Sequence, residues 1–163
     1  MKLHLHNQQT RISLKTASLR KLIRSLASRI ADDLGLAPWS ELSVVFTDDR
    51  GMVPVNTACF GKAEPTDVIS QSYDPHPGGA AGPGGEVLVN VERALSVGGA
   101  GKRGKVELAL YITHGLHHLA GAADDTPAQR RRMLRREHAW LSAAAREGLV
   151  ENLWRAARCR RQT

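Results

Sequence analysis

Residues 106–125 read VELALYITHGLHHLAGAADD. Val106, Leu108, Ala109, Leu110, Ile112, Leu116 and Leu119 leave a helix from Val106 to Gly121 almost no polar side. Such a helix belongs in the middle of a domain. One line of polar groups breaks the pattern: Glu107, Tyr111, His114 and His118 fall at i, i+4, i+7 and i+11. Burying them is unfavourable unless each finds a partner. His114 and His118 stand one turn apart and point the same way. Gly121 then ends the helix, and Asp124 and Asp125 follow. Two ring nitrogens and a carboxylate oxygen suffice for a three-ligand metal site with an open position. One ion would satisfy both imidazoles at once.

Downstream, Thr126-Pro127-Ala128-Gln129 is a capping box with proline at the first helical position. With Thr126 as the cap, the two aspartates are not both needed there, which favours one of them as a ligand. The next helix, to about Glu147, is expected to pack through Met133, Leu134, Trp140, Leu141 and Ala144. It shows Arg130, Arg131, Arg132, Arg135 and Arg136 near its start. Leu149, Val150, Leu153, Trp154 and Ala157 then recur at helical spacing before the basic end Arg158-Cys159-Arg160-Arg161. Residues 1–147 therefore read as one domain, and 148–163 as a basic tail or a short helix.

Upstream, residues 2–7 alternate Leu3 and Leu5 with His4 and His6, a short strand with both histidines on its solvent face. Leu19, Leu22, Ile23, Leu26, Ile30 and Leu34 place an amphipathic helix over 16–34. Strands are expected over 41–47, 66–73 and 86–91. A short helix through Met52, Val55 and Cys59 is expected to begin at or just before Pro54. Residues 74–86 are saturated with glycine and proline and read as a loop, either a plain connector or a cover for a substrate. A second glycine-rich patch, 98–104, leads into the central helix.

The chain has 163 residues, enough for one domain with a real core, and its composition is that of a globular protein. No run of eighteen apolar residues and no block of signal-peptide length are present, so a cytoplasmic protein without membrane segments is expected. Cys59 and Cys159 have no metal-binding spacing, and a disulfide is not expected in a reducing compartment. The net charge of +7 favours a polyanionic partner such as RNA.

Metal with two histidines invites comparison with the zinc-protease pattern H-E-x-x-H, whose glutamate is the general base. Gly115 stands where that glutamate belongs. Cleaving an RNA phosphodiester asks less of the protein, because the 2′-hydroxyl supplies a nucleophile, and nearby cations stabilise the phosphate charge.

These residues resemble the YbeY-type endoribonucleases, which carry H-G-x-L-H-L-x-G-x-D-H. The chain has His114, Gly115, His118, Gly121 and Asp124 in that register. A second family stretch, asparagine followed by K-x-x-P-T-D-V-L-S, is similar to Asn56 with Lys62-Ala63-Glu64-Pro65-Thr66-Asp67-Val68-Ile69-Ser70. A third is similar to Gly85-Glu86-Val87-Leu88-Val89. The resemblance covers roughly residues 3–147. It implies a single α+β domain with a central mixed sheet of about four strands packed by helices, the metal site lying at the C-terminal end of the buried helix. It implies one bound Zn²⁺, or another divalent transition metal, on His114, His118 and Asp124. The implied activity is that of a single-strand-specific endoribonuclease in rRNA maturation and ribosome biogenesis, notably at the small-subunit 3′ end. Ribosomal RNA and the small ribosomal subunit are the implied partners.

The chain departs from the family at four places. Asp124 replaces the third histidine, Ala123 an aspartate, and His117 the leucine before the second histidine. Phe60 stands where the family has an arginine associated with RNA cleavage; Lys62 or Arg103 is the candidate cation to replace it. A ribosome-associated RNA-binding protein without catalysis, and a metal hydrolase of a non-RNA substrate, are the alternative readings.

Overall fold

A computed structural model describes residues 1–73 and 82–155 of the chain. Its elements run β1 (Lys2–Asn7), α1 (Thr16–Leu34), β2 (Glu41–Thr47), α2 (Asp49–Phe60), β3 (Val68–Ser72), β4 (Gly85–Asn90), α3 (Val91–Gly98), α4 (Lys102–Leu119) and α5 (Pro127–Arg146). The four strands form one mixed sheet in the order β1-β2-β4-β3. β1, β2 and β4 are parallel, and β3 runs antiparallel along the outer edge of β4. This is the α+β architecture expected.

The period-two alternation of the strands separates two apolar layers. Leu42, Val44 and Phe46 of β2, with Val87 and Val89 of β4, join α1, α4 and α5 in the main core. The opposite face carries Val45, Leu88 and Ile69 beneath Met52 of α2. With both faces covered, even Ser43 and Thr47 are buried. α4 is the central helix: Leu108, Ala109, Ile112 and Leu116 are wholly inaccessible to solvent.

Several boundaries differ from the sequence expectation, each for a local reason. α2 begins a turn before Pro54 and runs through it. Asp48 caps the helix by accepting from the Gly51 N–H, and burying Met52 requires the early turn. The N–H that proline lacks costs one ladder bond in the second turn. β4 stops at Asn90, whose side chain caps α3 by accepting from the Arg93 N–H. α3 was not anticipated: it is a short helix anchored by buried Val91 and Ala94. The central helix starts at Lys102, ahead of Val106. On α5, Leu134 is exposed, while Met133, Trp140, Leu141 and Ala144 pack inward.

The described residues after 147 pack against the rest of the chain. Residues 147–152 form turns, Trp154 pairs with Leu14 as an isolated bridge, and Val150, Leu153 and Trp154 are buried in the main core. Backbone bonds from Lys15 to Leu153 and from Arg155 to Ser13 tie this segment to the start of α1. The apolar anchors, not a helical period, decide its path. Most of the loop read as a connector or cover, and the basic end from residue 156, lie outside the described residues. Among the described residues, no helix is long and apolar enough to cross a membrane.

Candidate metal centre

The last two turns of α4 carry His114 and His118 on one side. Their Nε2 atoms face each other at 3.1 Å, with the rings nearly perpendicular at 87°. The opposite ring nitrogens are both engaged. His114 Nδ1 lies 2.9 Å from Glu137 Oε1, and His118 Nδ1 lies 3.1 Å from the Ala122 carbonyl. Both acceptors are oxygens that carry no proton, so each Nδ1 is the donor, and with the rings neutral each Nε2 presents its lone pair. That contact is satisfied by a proton on one ring or by a cation held by both.

Asp124 completes the cluster. Its Oδ2 lies 3.9 Å from His118 Nε2, and one donor atom from each of His114, His118 and Asp124 lies within 4.8 Å of the others. Gly121, at φ 90°, makes the reversal that returns the chain from the helix end to this point. Arg130 pins the turn by donating to the Asp124 carbonyl at 2.7 Å. Two nitrogens and a carboxylate oxygen so placed can bind a divalent metal ion. The carbonyl end of α4 adds negative potential at the same spot. Asp125 is exposed and is not part of the cluster.

Glu137 was not anticipated. It projects from α5, 1% exposed, and its Oε1 takes hydrogen bonds from both His114 and His117, the latter at 3.0 Å. Burial alone would push its carboxyl up; the two histidine hydrogen bonds more than reverse this and hold it at about 2. In return, the Glu137 hydrogen bond raises the pKa of His114 against the opposing effect of burial. The ionised carboxylate therefore orients His114 from behind, as outer partners of metal-binding histidines do. His117 faces away from the cluster, with its ring 4.7 Å from that of Trp140. The signal for Glu137 was present in the sequence: it is the one acid on α5, and it sits in register with buried Met133, Trp140, Leu141 and Ala144.

The rest of the polar line on α4 divides from the cluster. Tyr111 is buried, and burial together with the Glu107 charge pushes its hydroxyl up to about 12, so it stays a phenol. Gly115 has a packing reason. A methyl group there would lie 2.4 Å from Val87 Cγ1 and 3.0 Å from Val68 Cγ2, so no side chain fits between α4 and the sheet. Gly115→Ala is expected to lower stability by about 1–3 kcal/mol and to weaken divalent-metal binding by backing His114 and His118 off together. Thermal melts with and without zinc check this; an unchanged melting temperature would mean that Val87 gives way without moving the helix.

The cluster opens into a cavity of about 470 Å³ lined also by Phe60, Asp67, Val68, Ile69 and Ser70. Asp67 Oδ1 accepts from the Val68 N–H and the Thr66 hydroxyl. A second cleft, of about 580 Å³, shares Phe60, Asp67, Val68 and Ile69 with the first and holds Lys62 and Arg93. Of the two cations considered from sequence, Lys62 thus lies beside the site. Arg103, in the first turn of α4, is about 17 Å along the axis from His114. Arg93 had gone unnoticed, because only the packing of α3 brings it to the cleft.

Comparison with known proteins gives a consistent set of relatives. The family described as Endoribonuclease YbeY matches residues 4–145. The chain is similar to the Endoribonuclease YbeY of Geobacter metallireducens, 35% identical over 157 residues, spanning 92% of this chain and 100% of the relative. It is similar also to that of Geobacter sulfurreducens, 34% identical over 155 residues with the same coverage. Among solved structures, it resembles the solution structure of a Thermotoga maritima protein, with TM-score 0.51 and 16% identity. That match covers 91% of this chain and 94% of the other, and it speaks to the fold alone.

Proposed function

This chain belongs to the YbeY family of endoribonucleases, and we propose that it is a metal-dependent, single-strand-specific endoribonuclease of ribosomal RNA maturation. One observation carries the reading: His114 and His118 turn their Nε2 atoms to a common point, each ring held from behind through Nδ1, with Asp124 beside them. These three residues would hold the ion. Zinc suits two imidazoles and a carboxylate, although other transition metals share that preference. When bound, the ion supplies Lewis acidity that polarises a phosphoryl oxygen and draws off charge as the phosphodiester breaks.

The chain's own residues do the rest. Asp67 is the second carboxylate lining the cavity; it would take the proton of an RNA 2′-hydroxyl as that oxygen bonds to phosphorus and the 5′-oxygen leaves, the latter taking its proton from water. Lys62 and Arg93 stand beside it to hold phosphate. On α5, Arg130, Arg131, Arg132, Arg135 and Arg136 are all exposed, and the only acid of that helix is turned inward. That face adds attraction for a polyanion. The substrate would be small-subunit rRNA near its 3′ end, met in the cytoplasm on the small ribosomal subunit.

The test is cleavage of a small-subunit rRNA 3′ fragment by protein as purified, stripped with chelator, and resupplied with zinc. Cutting should vanish on stripping and return with the metal. Phe60, in place of the family arginine, favours a second reading in which RNA is bound without being cut. RNA binding that persists in chelator, with no cutting in any sample, would decide for that reading.

A further inference from the structure

Phe60 is the most exposed large apolar side chain among the described residues, 59% accessible at the last position of α2. A single exposed phenylalanine needs no explanation by itself. Its position supplies one. The ring stands at the junction of the metal cavity and the neighbouring cleft and lines both. It leaves α2 at a braced turn: Gly61 closes the helix on Thr57, and Asn56 Nδ2 donates to the Glu64 carbonyl across it. On the cleft side lie Lys62 and Arg93, neither of which makes an ion pair within 4.0 Å among the described residues. The cleft also contains Glu64 and Asp67, so it is not a uniformly basic patch. Its volume of about 580 Å³ falls in the range of about 300–1,000 Å³ typical of small-ligand pockets, with room for one nucleotide.

An exposed aromatic face beside unpaired cations is the combination that binds single-stranded nucleic acid: the base stacks on the ring while the cations track the backbone. We propose that Phe60 is a stacking platform for one unpaired base of the RNA strand, with Arg93 and Lys62 holding the adjoining phosphate, in a subsite continuous with the metal cavity. The subsite rests on the RNA-cleaving reading above and deepens it. It sets the strand's register, placing a nucleotide beside the one whose phosphate lies over His114 and His118. It also excludes duplex, whose paired bases cannot open onto the ring. Phe60 thereby acts in substrate binding, where an arginine at that position would act on charge.

The experiment uses a short single-stranded oligoribonucleotide containing 2-aminopurine, titrated in chelator so that cutting does not interfere. Wild-type protein should quench the 2-aminopurine on binding. Phe60→Ala should lose the quenching and bind at least tenfold more weakly, whereas Phe60→Trp should keep both. Arg93→Ala should weaken binding and lower the slope of log affinity against log salt by about 1. Phe60 is exposed, so these variants leave the core intact. Wild-type affinity and quenching in Phe60→Ala would overturn the subsite, whether or not the protein cuts RNA. Quenching that depends on Phe60 would uphold it even if wild-type protein cuts no RNA, in which case only the nuclease reading fails.

Discussion

Replacing Glu137 by alanine is expected to weaken metal binding about 10–100-fold, the usual effect of removing an outer partner of a ligand histidine. The carboxylate meets His114 at Nδ1, on the side of the ring away from the cluster. It holds the His114 ring so that Nε2 faces His118, and without it the ring is free to turn. The same change leaves the buried His117 N–H without its acceptor, which costs about 1–3 kcal/mol. Glu137→Gln separates the two effects. It keeps the shape and an acceptor oxygen but drops the charge, so stability should recover more than metal affinity does. Isothermal titration with zinc and chemical denaturation of the metal-free proteins measure the two quantities. Zinc affinity equal to wild type in Glu137→Ala would show that His114 needs no support from α5.

The Glu137 ionisation also predicts a pH profile. Its folded value of about 2 lies below the ordinary 4.5, so its stabilisation is fully present above about pH 5. It is lost as pH falls through that interval towards 2. The Gln variant should lack this part of the acid unfolding curve.

The second large effect concerns the cluster itself. In the proposed ligand set, His118→Ala removes one nitrogen and should abolish both stoichiometric metal and RNA cleavage; His114→Ala should do the same. Asp124→Ala is the sharper test, because Asp124 is more exposed than either imidazole and lies farther from His118 than His114 does. Its removal leaves two nitrogens on one helix, which should hold metal weakly enough to lose it on dialysis. Metal content by atomic emission for the purified proteins reads this directly. If Asp124→Ala retains one equivalent while His114→Ala loses it, the carboxylate is not the third ligand.

Much of the fold was legible because its signals are local. α1 keeps the bounds 16–34 and β2 the bounds 41–47, since apolar spacing of three to four residues, or of two, is set within the element itself. The capping box at Thr126 forms as written, with Thr126 accepting from Gln129 N–H and the Gln129 side chain reaching back. The grouping of His114, His118 and Asp124 was legible for the same reason. One helical turn joins His114 to His118, and a six-residue reversal through Gly121 brings Asp124 back to them.

What lay hidden depends on contacts between elements distant in the chain. Glu137 is 23 residues from His114 and becomes its partner only because α5 packs on α4. Arg93 reaches the cleft through a short helix that Asn90 caps, and Asn90 is itself bonded to Asp49 and Thr66 from two other segments. Pro54 lies inside a helix because Met52 had to be buried, and Trp154 sits in the core because its indole N–H finds the Ala100 carbonyl. Gly115 shows both levels at once: the sequence alone determined that no catalytic glutamate is there. Only the tertiary structure decided why, because α4 lies so close to β3 and β4 that no side chain can occupy the gap. Periodicity and caps are enforced by neighbours a few residues away and can be read along the chain; partners across the core are selected by burial and appear only when the elements pack.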